Sequence, residues 1–152
     1  MGNTNTKKVA WITGGGTGIG LATAQRLAGQ GWHVAVSGRR EAELKAACDA
    51  IAKAGGSAEA VPLDVSDAAA VPGAAEGILA RNGRIDALVC SAGTNVPNRY
   101  WKDLTPEAFA KVSAINLNGV AFCVGAVLPA MRAAGGGSLV VVSSWAGWRY
   151  LP

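Results

Sequence analysis

The sequence predicts an α/β fold: a doubly wound parallel sheet with strand order 3-2-1-4-5 and helices on both faces. Three observations carry that prediction. Short apolar runs alternate with helical stretches along the whole chain, the pattern of βα units whose crossovers make neighbouring strands parallel. The first apolar run stops at a glycine-rich turn that opens directly into a helix. The composition suits a buried sheet, with 50% hydrophobic residues, 21 glycines and only 16% charged residues among 152. That length predicts one domain over 1–152, with residues 1–6 a flexible polar leader.

Val9 to Ile12 has the length of a buried strand, and Leu21 to Gln30 reads as a helix with Leu21, Ala24, Leu27 and Ala28 on one face. Between them runs Thr13-Gly14-Gly15-Gly16-Thr17-Gly18-Ile19-Gly20. Strand, glycine turn and helix together point backbone N–H groups and a helix N-terminus at a phosphate. Gly14 can turn the chain at positive φ, Gly18 lets backbone approach a pyrophosphate, and Gly20 lets the helix lie close to the strand.

His33 to Ser37 is the second strand, and the lone histidine at its start takes no chemical role. Glu41 to Ala54 follows as a helix with Leu44, Ala47, Cys48 and Ile51 as its stripe, stopped by Gly55-Gly56. Ala58 to Leu63 is the third strand. Ser66-Asp67 caps a third helix running toward Arg81, where Pro72 should kink the helix or shift its start. Asn82-Gly83 ends that helix, and Ala87 to Cys90 is the fourth strand. A long amphipathic segment from about Thr105 to Arg132 leads through Gly135-Gly136-Gly137 to a fifth strand, Ser138 to Val142.

The net charge is +4, but the basic residues are scattered rather than gathered on one face with aromatics between them. Nucleic-acid binding is therefore not expected. No apolar run is expected to reach the roughly 18 residues of a membrane span. Met1-Gly2-Asn3-Thr4-Asn5-Thr6 matches a bare myristoylation pattern, yet no basic cluster or second lipid site accompanies it. Cys48, Cys90 and Cys123 lack metal-ligand spacing, so no metal is expected; they read as reduced thiols of a cytoplasmic protein.

The glycines do not form G-x-G-x-x-G. The run Thr13-Gly14-x-x-x-Gly18-x-Gly20 instead resembles the T-G-x-x-x-G-x-G turn of the short-chain dehydrogenase/reductase family. The resemblance implies a Rossmann-like domain, here incomplete at its C-terminal side, that binds a nicotinamide dinucleotide. It makes Thr13, Gly14, Gly16, Thr17, Gly18, Ile19 and Gly20 cofactor-binding candidates. The second strand ends Ser37-Gly38-Arg39-Arg40, without the acidic residue that holds the ribose hydroxyls of NAD. A guanidinium there pairs with a 2′-phosphate, so NADP(H) is preferred, with NAD(H) possible, through Arg39 with Arg40 and Ser37 assisting.

By the same resemblance Asp64 contacts the adenine amino group with Val65 alongside; alternatively Asp64 only starts a turn. Ser91-Ala92-Gly93 stands where the family usually has Asn-Ala-Gly, with Ser91 replacing the Asn, and the resemblance makes all three cofactor-binding candidates. In Ile115-Asn116-Leu117-Asn118-Gly119, poor helix formers interrupt an apolar helix, a break often found at functional positions. The resemblance gives Asn116 a water of the proton relay; the alternative is that it braces a neighbouring strand. In Ser143-Ser144-Trp145-Ala146-Gly147, the match to S-S-x-x-G makes Ser144 the hydroxyl that polarises a substrate carbonyl.

The family also uses a Tyr and a Lys spaced Y-x-x-x-K. Neither Tyr100, which precedes the serine, nor Tyr150, six residues past it, fits. The lineage therefore implies an oxidoreductase passing hydride between NADP(H) and a small carbonyl or alcohol substrate, homo-oligomeric at full length. These 152 residues alone are expected to have little or no turnover. The rival reading is a non-catalytic NAD(P)-binding module or redox sensor. The fifth strand is expected to be an uncovered edge of Leu139, Val140, Val141 and Val142. The loops holding Trp145, Trp148, Arg149 and Tyr150, and Asn95 to Trp101, are candidate pocket walls.

Overall fold

A computed structural model describes residues 7–98 and 100–144. The expectations for residues 1–6, for Arg99, and for Trp145, Trp148, Arg149 and Tyr150 lie outside the described residues. The strands are β1 (Val9–Thr13), β2 (His33–Gly38), β3 (Ser57–Pro62), β4 (Ala87–Cys90) and β5 (Ser138–Val141). They form one parallel sheet in the order β3-β2-β1-β4-β5, as the alternation predicts. β1 is central and buried on both faces, which is why it reads as a continuous apolar run.

Strand alternation sends Ala10, Ile12, Val34, Val36 and Val89 to one face and Val9, Trp11, Ala35, Leu88 and Cys90 to the other. The first face is covered by α1 (Gly18–Gly29) and α2 (Glu41–Lys53), through Ala24, Ala28, Leu44 and Ile51. The second is covered by α3 (Ala70–Asn82) and by the long helix beyond it, through Val71, Ala75, Ile78, Cys123, Val127 and Met131. The order reverses at β1, whose neighbours β2 and β4 leave it in opposite directions, and a crevice opens at the carboxyl ends of these strands.

The other end is pinned by Asp86. Its carboxylate accepts from Val9 N (2.8 Å) and from Arg84 Nε (3.0 and 2.8 Å), so the start of β1 is tied to the turn before β4. Burial alone would raise this carboxyl. The hydrogen bonds from Arg84 and Val9, with the charges of Arg84 and Lys8, outweigh it and hold the group below the usual carboxylate range. His33 lies between Ser57 Oγ (2.7 Å from Nδ1) and Glu59 Oε1 (3.3 Å from Nε2), a bracing position between β2 and β3.

Three expectations need correction. α1 starts at Gly18, before Leu21, because the glycine turn itself supplies the first helical turn. α3 starts at Ala70 rather than at Ser66-Asp67, although Asp67 Oδ1 still accepts from Ala69 N (3.0 Å) and Ala70 N (3.2 Å). Pro72 is thereby in the first helical turn, where its missing N–H removes no intrahelical bond, which is the shifted start expected as the alternative to a kink.

The long helix is the third. It runs as α4 (Pro106–Ser113), a π-helical turn (Ala114–Asn118) and α5 (Gly119–Ala133). Together these make a 28-residue helix, Pro106–Ala133, long and apolar enough by composition to cross a membrane. The sequence reading missed this because Ser113, Asn116 and Asn118 break the apolar run without adding charge. In the fold, Ile115, Gly119, Cys123, Val127 and Met131 recur every four residues as a buried stripe, and α5 packs on α3 and β4. β5 is an edge strand, and Leu139, Val140, Val141 and Val142 are exposed along it.

Candidate functional site

A cavity of about 350 Å³ lies in the crevice, reaching from the glycine turn across the ends of β2 and β3 to Val142 beyond β5. Gly14, Gly16, Thr17, Gly18 and Ile19 form one wall. Gly14 (φ +66°) turns the chain off β1, and a Cβ on it would lie 2.8 Å from Ala92 N and Ser91 O. Gly20 is not in the wall but makes it possible: a Cβ there would lie 2.3 Å from Gly14 O, so only glycine lets α1 close on the turn. Gly18 (φ +55°) differs, since nothing lies within 4 Å of where its Cβ would be. The space its missing side chain leaves is open cavity.

The N-terminus of α1 carries no capping side-chain bond at Thr17 and no acidic residue in its first turn. Its first N–H groups have no intrahelical acceptor, and the helix dipole adds partial positive charge there. α4, by contrast, is closed by Thr105 Oγ1, which accepts from Ala108 N at 3.2 Å. The α1 turn therefore has the donor set of an anion site.

Arg39 and Arg40 line the cavity at the end of β2. Arg39 makes no hydrogen bond or ion pair among the described residues. Arg40 donates to Thr17 Oγ1 and to Glu43 Oε1, both at 3.4 Å. Ser37 does not belong with them. It lies within β2 on the Trp11 face, where it is fully buried and its Oγ accepts from Trp11 Nε1 at 2.7 Å, whereas the arginines lie beyond the strand end. Thr13 is likewise behind the site, 2% exposed, with Oγ1 accepting from Ala92 N at 3.2 Å. These two hold the strand ends rather than face the cavity.

Asp64 and Val65 form the wall past β3. Asp64 Oδ1 accepts from Ser66 Oγ (2.7 Å) and Ser66 N (3.0 Å), so it does start a turn while its carboxylate still borders the cavity. Those two bonds, helped by the Arg39 charge and opposed by burial, hold its carboxyl below the ordinary range. Val65 is fixed from behind by Gly119, where a Cβ would come within 2.7 Å of Val65 Cγ2. The poor helix former at 119 thus has a packing reason.

Ser91, Ala92 and Gly93 complete the floor. Asn116 is near but engaged elsewhere: Oδ1 accepts from Thr94 N (2.8 Å) and Nδ2 donates to Thr94 O (2.9 Å), bracing the segment after β4 against the π-turn. Ile115, not Asn116, lines the cavity. Ser144 is exposed beyond β5, two residues past Val142 at the cavity edge. Neither Asn116 nor Ser144 is brought into the cavity wall. Sequence reasoning missed Glu43, Leu44 and Leu63, which do line it. Only Glu43 carried a signal, as a carboxylate one helical turn from Arg40.

The residues fit a dinucleotide on the structure's own terms. Among the described residues there are helix N–H groups without acceptors for a pyrophosphate, an unfilled Cβ position at Gly18, a guanidinium without an ion pair after β2 and a carboxylate after β3. No group of three or more potential metal ligands occurs among the described residues.

A sequence profile of the short chain dehydrogenase family matches residues 8–152. The short-chain reductase protein NovJ of Streptomyces niveus is 40% identical over 138 residues, covering 91% of this chain and 52% of NovJ. The crystal structure of a metagenomic short-chain oxidoreductase in complex with NADP superposes with a TM-score of 0.90 at 35% identity, over 95% of this chain and 65% of the other. NAD+-bound xylitol dehydrogenase superposes with a TM-score of 0.92 at 31% identity, over 98% of this chain and 58% of the other. The chain spans about half the length of the curated relatives it matches.

Proposed function

The chain belongs to the short-chain dehydrogenase family, and on that premise we propose that it forms the cofactor-binding part of an NADP(H)-dependent oxidoreductase acting on a small carbonyl or alcohol. When bound, the nicotinamide supplies or accepts the hydride. The chain's own residues bind and orient. The turn at Gly14–Gly20 holds the pyrophosphate through backbone N–H groups, Arg39 and Arg40 take the 2′-phosphate, and Asp64 meets the adenine. Structural relatives holding NADP and NAD+ support a nicotinamide cofactor.

The observation that carries the preference is Arg39, a cavity-lining cation without an ion pair among the described residues, just past the end of β2, where NAD enzymes commonly place a carboxylate. Ser144 is the proposed hydroxyl toward the substrate carbonyl, on the family motif alone. Proton transfer needs an acid that these 152 residues do not supply in the family's Y-x-x-x-K spacing.

A second reading, a dinucleotide-binding module without turnover, is favoured by the engagement of Asn116 with Thr94. Calorimetric titration with NADP+ and NAD+, on wild type and Arg39→Ala, tests the cofactor reading. Tighter NADP+ binding by wild type, with that margin lost in the variant, is expected. Equal or tighter NAD+ binding rejects the preference, and no binding by a folded sample rejects the site.

A further inference from the structure

We propose that Glu43 tunes the site's preference between phosphorylated and unphosphorylated cofactor by competing with the 2′-phosphate for the Arg40 guanidinium. The inference rests on the dinucleotide reading of the cavity. It goes beyond that reading by giving a role to a carboxylate that a phosphate site would not be expected to contain.

The two arginines after β2 differ in what they already hold. Arg39 has no hydrogen bond or ion pair among the described residues, and its charge helps to lower the Asp64 carboxyl. Arg40 spans the mouth of the cavity, donating from Nη1 to Glu43 Oε1 and from Nη2 to Thr17 Oγ1, each at 3.4 Å. Glu43 therefore stands where a phosphate oxygen would otherwise find a donor. Its place is fixed by backbone packing. A Cβ on Gly16 would lie 3.1 Å from Glu43 Cβ, so the first turn of α2 sits directly against the glycine turn. The carboxylate can rotate, but its stem stays beside the turn.

The Arg40–Glu43 pair is long and exposed, 66% and 43% at its two side chains, so it is readily exchanged. A phosphate dianion offers more charge and more acceptor oxygens than a carboxylate and would displace it. Glu43 is then left unpaired beside a like charge, which weakens the complex. A cofactor with free ribose hydroxyls meets no such opposition. Glu43 thus keeps Arg40 in the cavity mouth when no phosphate is bound, and reduces selectivity when one is.

Glu43→Gln is suited to the test, because Gln keeps the size and helix propensity of Glu while removing its charge. Wild type, Glu43→Gln, Arg40→Ala and the double variant are titrated calorimetrically with NADP+, NAD+ and 2′,5′-ADP. Glu43→Gln is expected to tighten NADP+ and 2′,5′-ADP by about threefold to tenfold, leaving NAD+ within about twofold. Added to Arg40→Ala, the same change is expected to give less than about a twofold gain. Unchanged or weaker NADP+ binding by Glu43→Gln overturns the proposal, as does equal tightening of NAD+ or a full gain without Arg40. If wild type binds none of the three probes, the cavity reading falls too. If wild type binds NADP+ and 2′,5′-ADP but Glu43→Gln moves neither, only the role of Glu43 falls.

Discussion

The side chain of Asn116 closes on the peptide group of Thr94, accepting from its N–H at 2.8 Å and donating to its C=O at 2.9 Å. This pair joins the π-turn of the long helix to the segment leaving β4 at Gly93, the floor of the cavity. π-turns recur at functional sites because the extra residue re-aims the backbone. Here the widened turn aims an amide at main chain. Asn116→Ala should therefore destabilise the protein by about 1 kcal/mol and deprotect the Thr94 amide in hydrogen exchange. A Thr94 amide that stays protected contradicts the brace.

The glycines of the turn separate into packing and binding positions. Gly20→Ala places a Cβ 2.3 Å from Gly14 O and should lose folding stability by at least about 2 kcal/mol. Gly18→Ala meets no atom within 4 Å and should cost only the strain of φ +55°, about 1 kcal/mol. It should nonetheless weaken dinucleotide binding at least about tenfold, because the methyl enters the cavity. Thermal unfolding beside calorimetry distinguishes them; a Gly18→Ala variant that binds like wild type contradicts the assignment.

Ser37→Ala leaves the Trp11 indole N–H without its buried acceptor. The expected loss is about 1–3 kcal/mol in unfolding free energy, with the ratio of NADP+ to NAD+ affinity unchanged. A changed ratio would return Ser37 to the cofactor site.

Asp86 makes stability depend on acid. Its folded-state carboxyl lies below the ordinary value of 3.8, so its stabilising effect is present above that pH and is lost as pH falls through the folded value. Asp86→Asn should cost about 1–3 kcal/mol at neutral pH. The gap to wild type should begin to narrow below about pH 4, where the unfolded-state carboxyl takes up a proton, and close as pH falls through the lower folded value. A gap independent of pH in urea unfolding contradicts this.

Burial pushes the Cys90 thiol up to about 11 and, with Cys90 as neighbour, the Cys123 thiol up to about 12. Cys48 is raised as well, by burial and then by Asp49 and Glu59, but it is only partly covered. In native protein at pH 8 a thiol reagent should modify Cys48 alone, with the other two reacting after unfolding. Rapid reaction of all three contradicts the buried placement.

The sheet order was legible because each of the first four strands is followed by a helical stretch, leaving little choice of topology. The turn was legible because its glycines follow an apolar strand and open an amphipathic helix. The facing of side chains was harder. Ser37 sits beside Gly38 and Arg39 in sequence, but its pairing with Thr13 in the sheet turns it to the Trp11 face. A fully buried indole needs an acceptor, and that requirement was visible only once β1 and β2 were in register. Pro72 was legible as a disturbance near the helix start, but whether it kinked the helix or moved its first residue depended on Asp67 bonds that composition does not reveal. Asn116 was legible as a break in the helix, but the sequence left open whether it held water or backbone.

The most direct test of the account is a titration of isotope-labelled protein with NADP+, followed by amide chemical shifts. The account predicts that the largest changes fall on the N–H groups of Gly16, Gly18, Ile19 and Gly20, with a second set at Arg39 and Arg40 that NAD+ does not reproduce. A folded spectrum in which those amides stay still while others move, or in which none move at saturating NADP+, contradicts it.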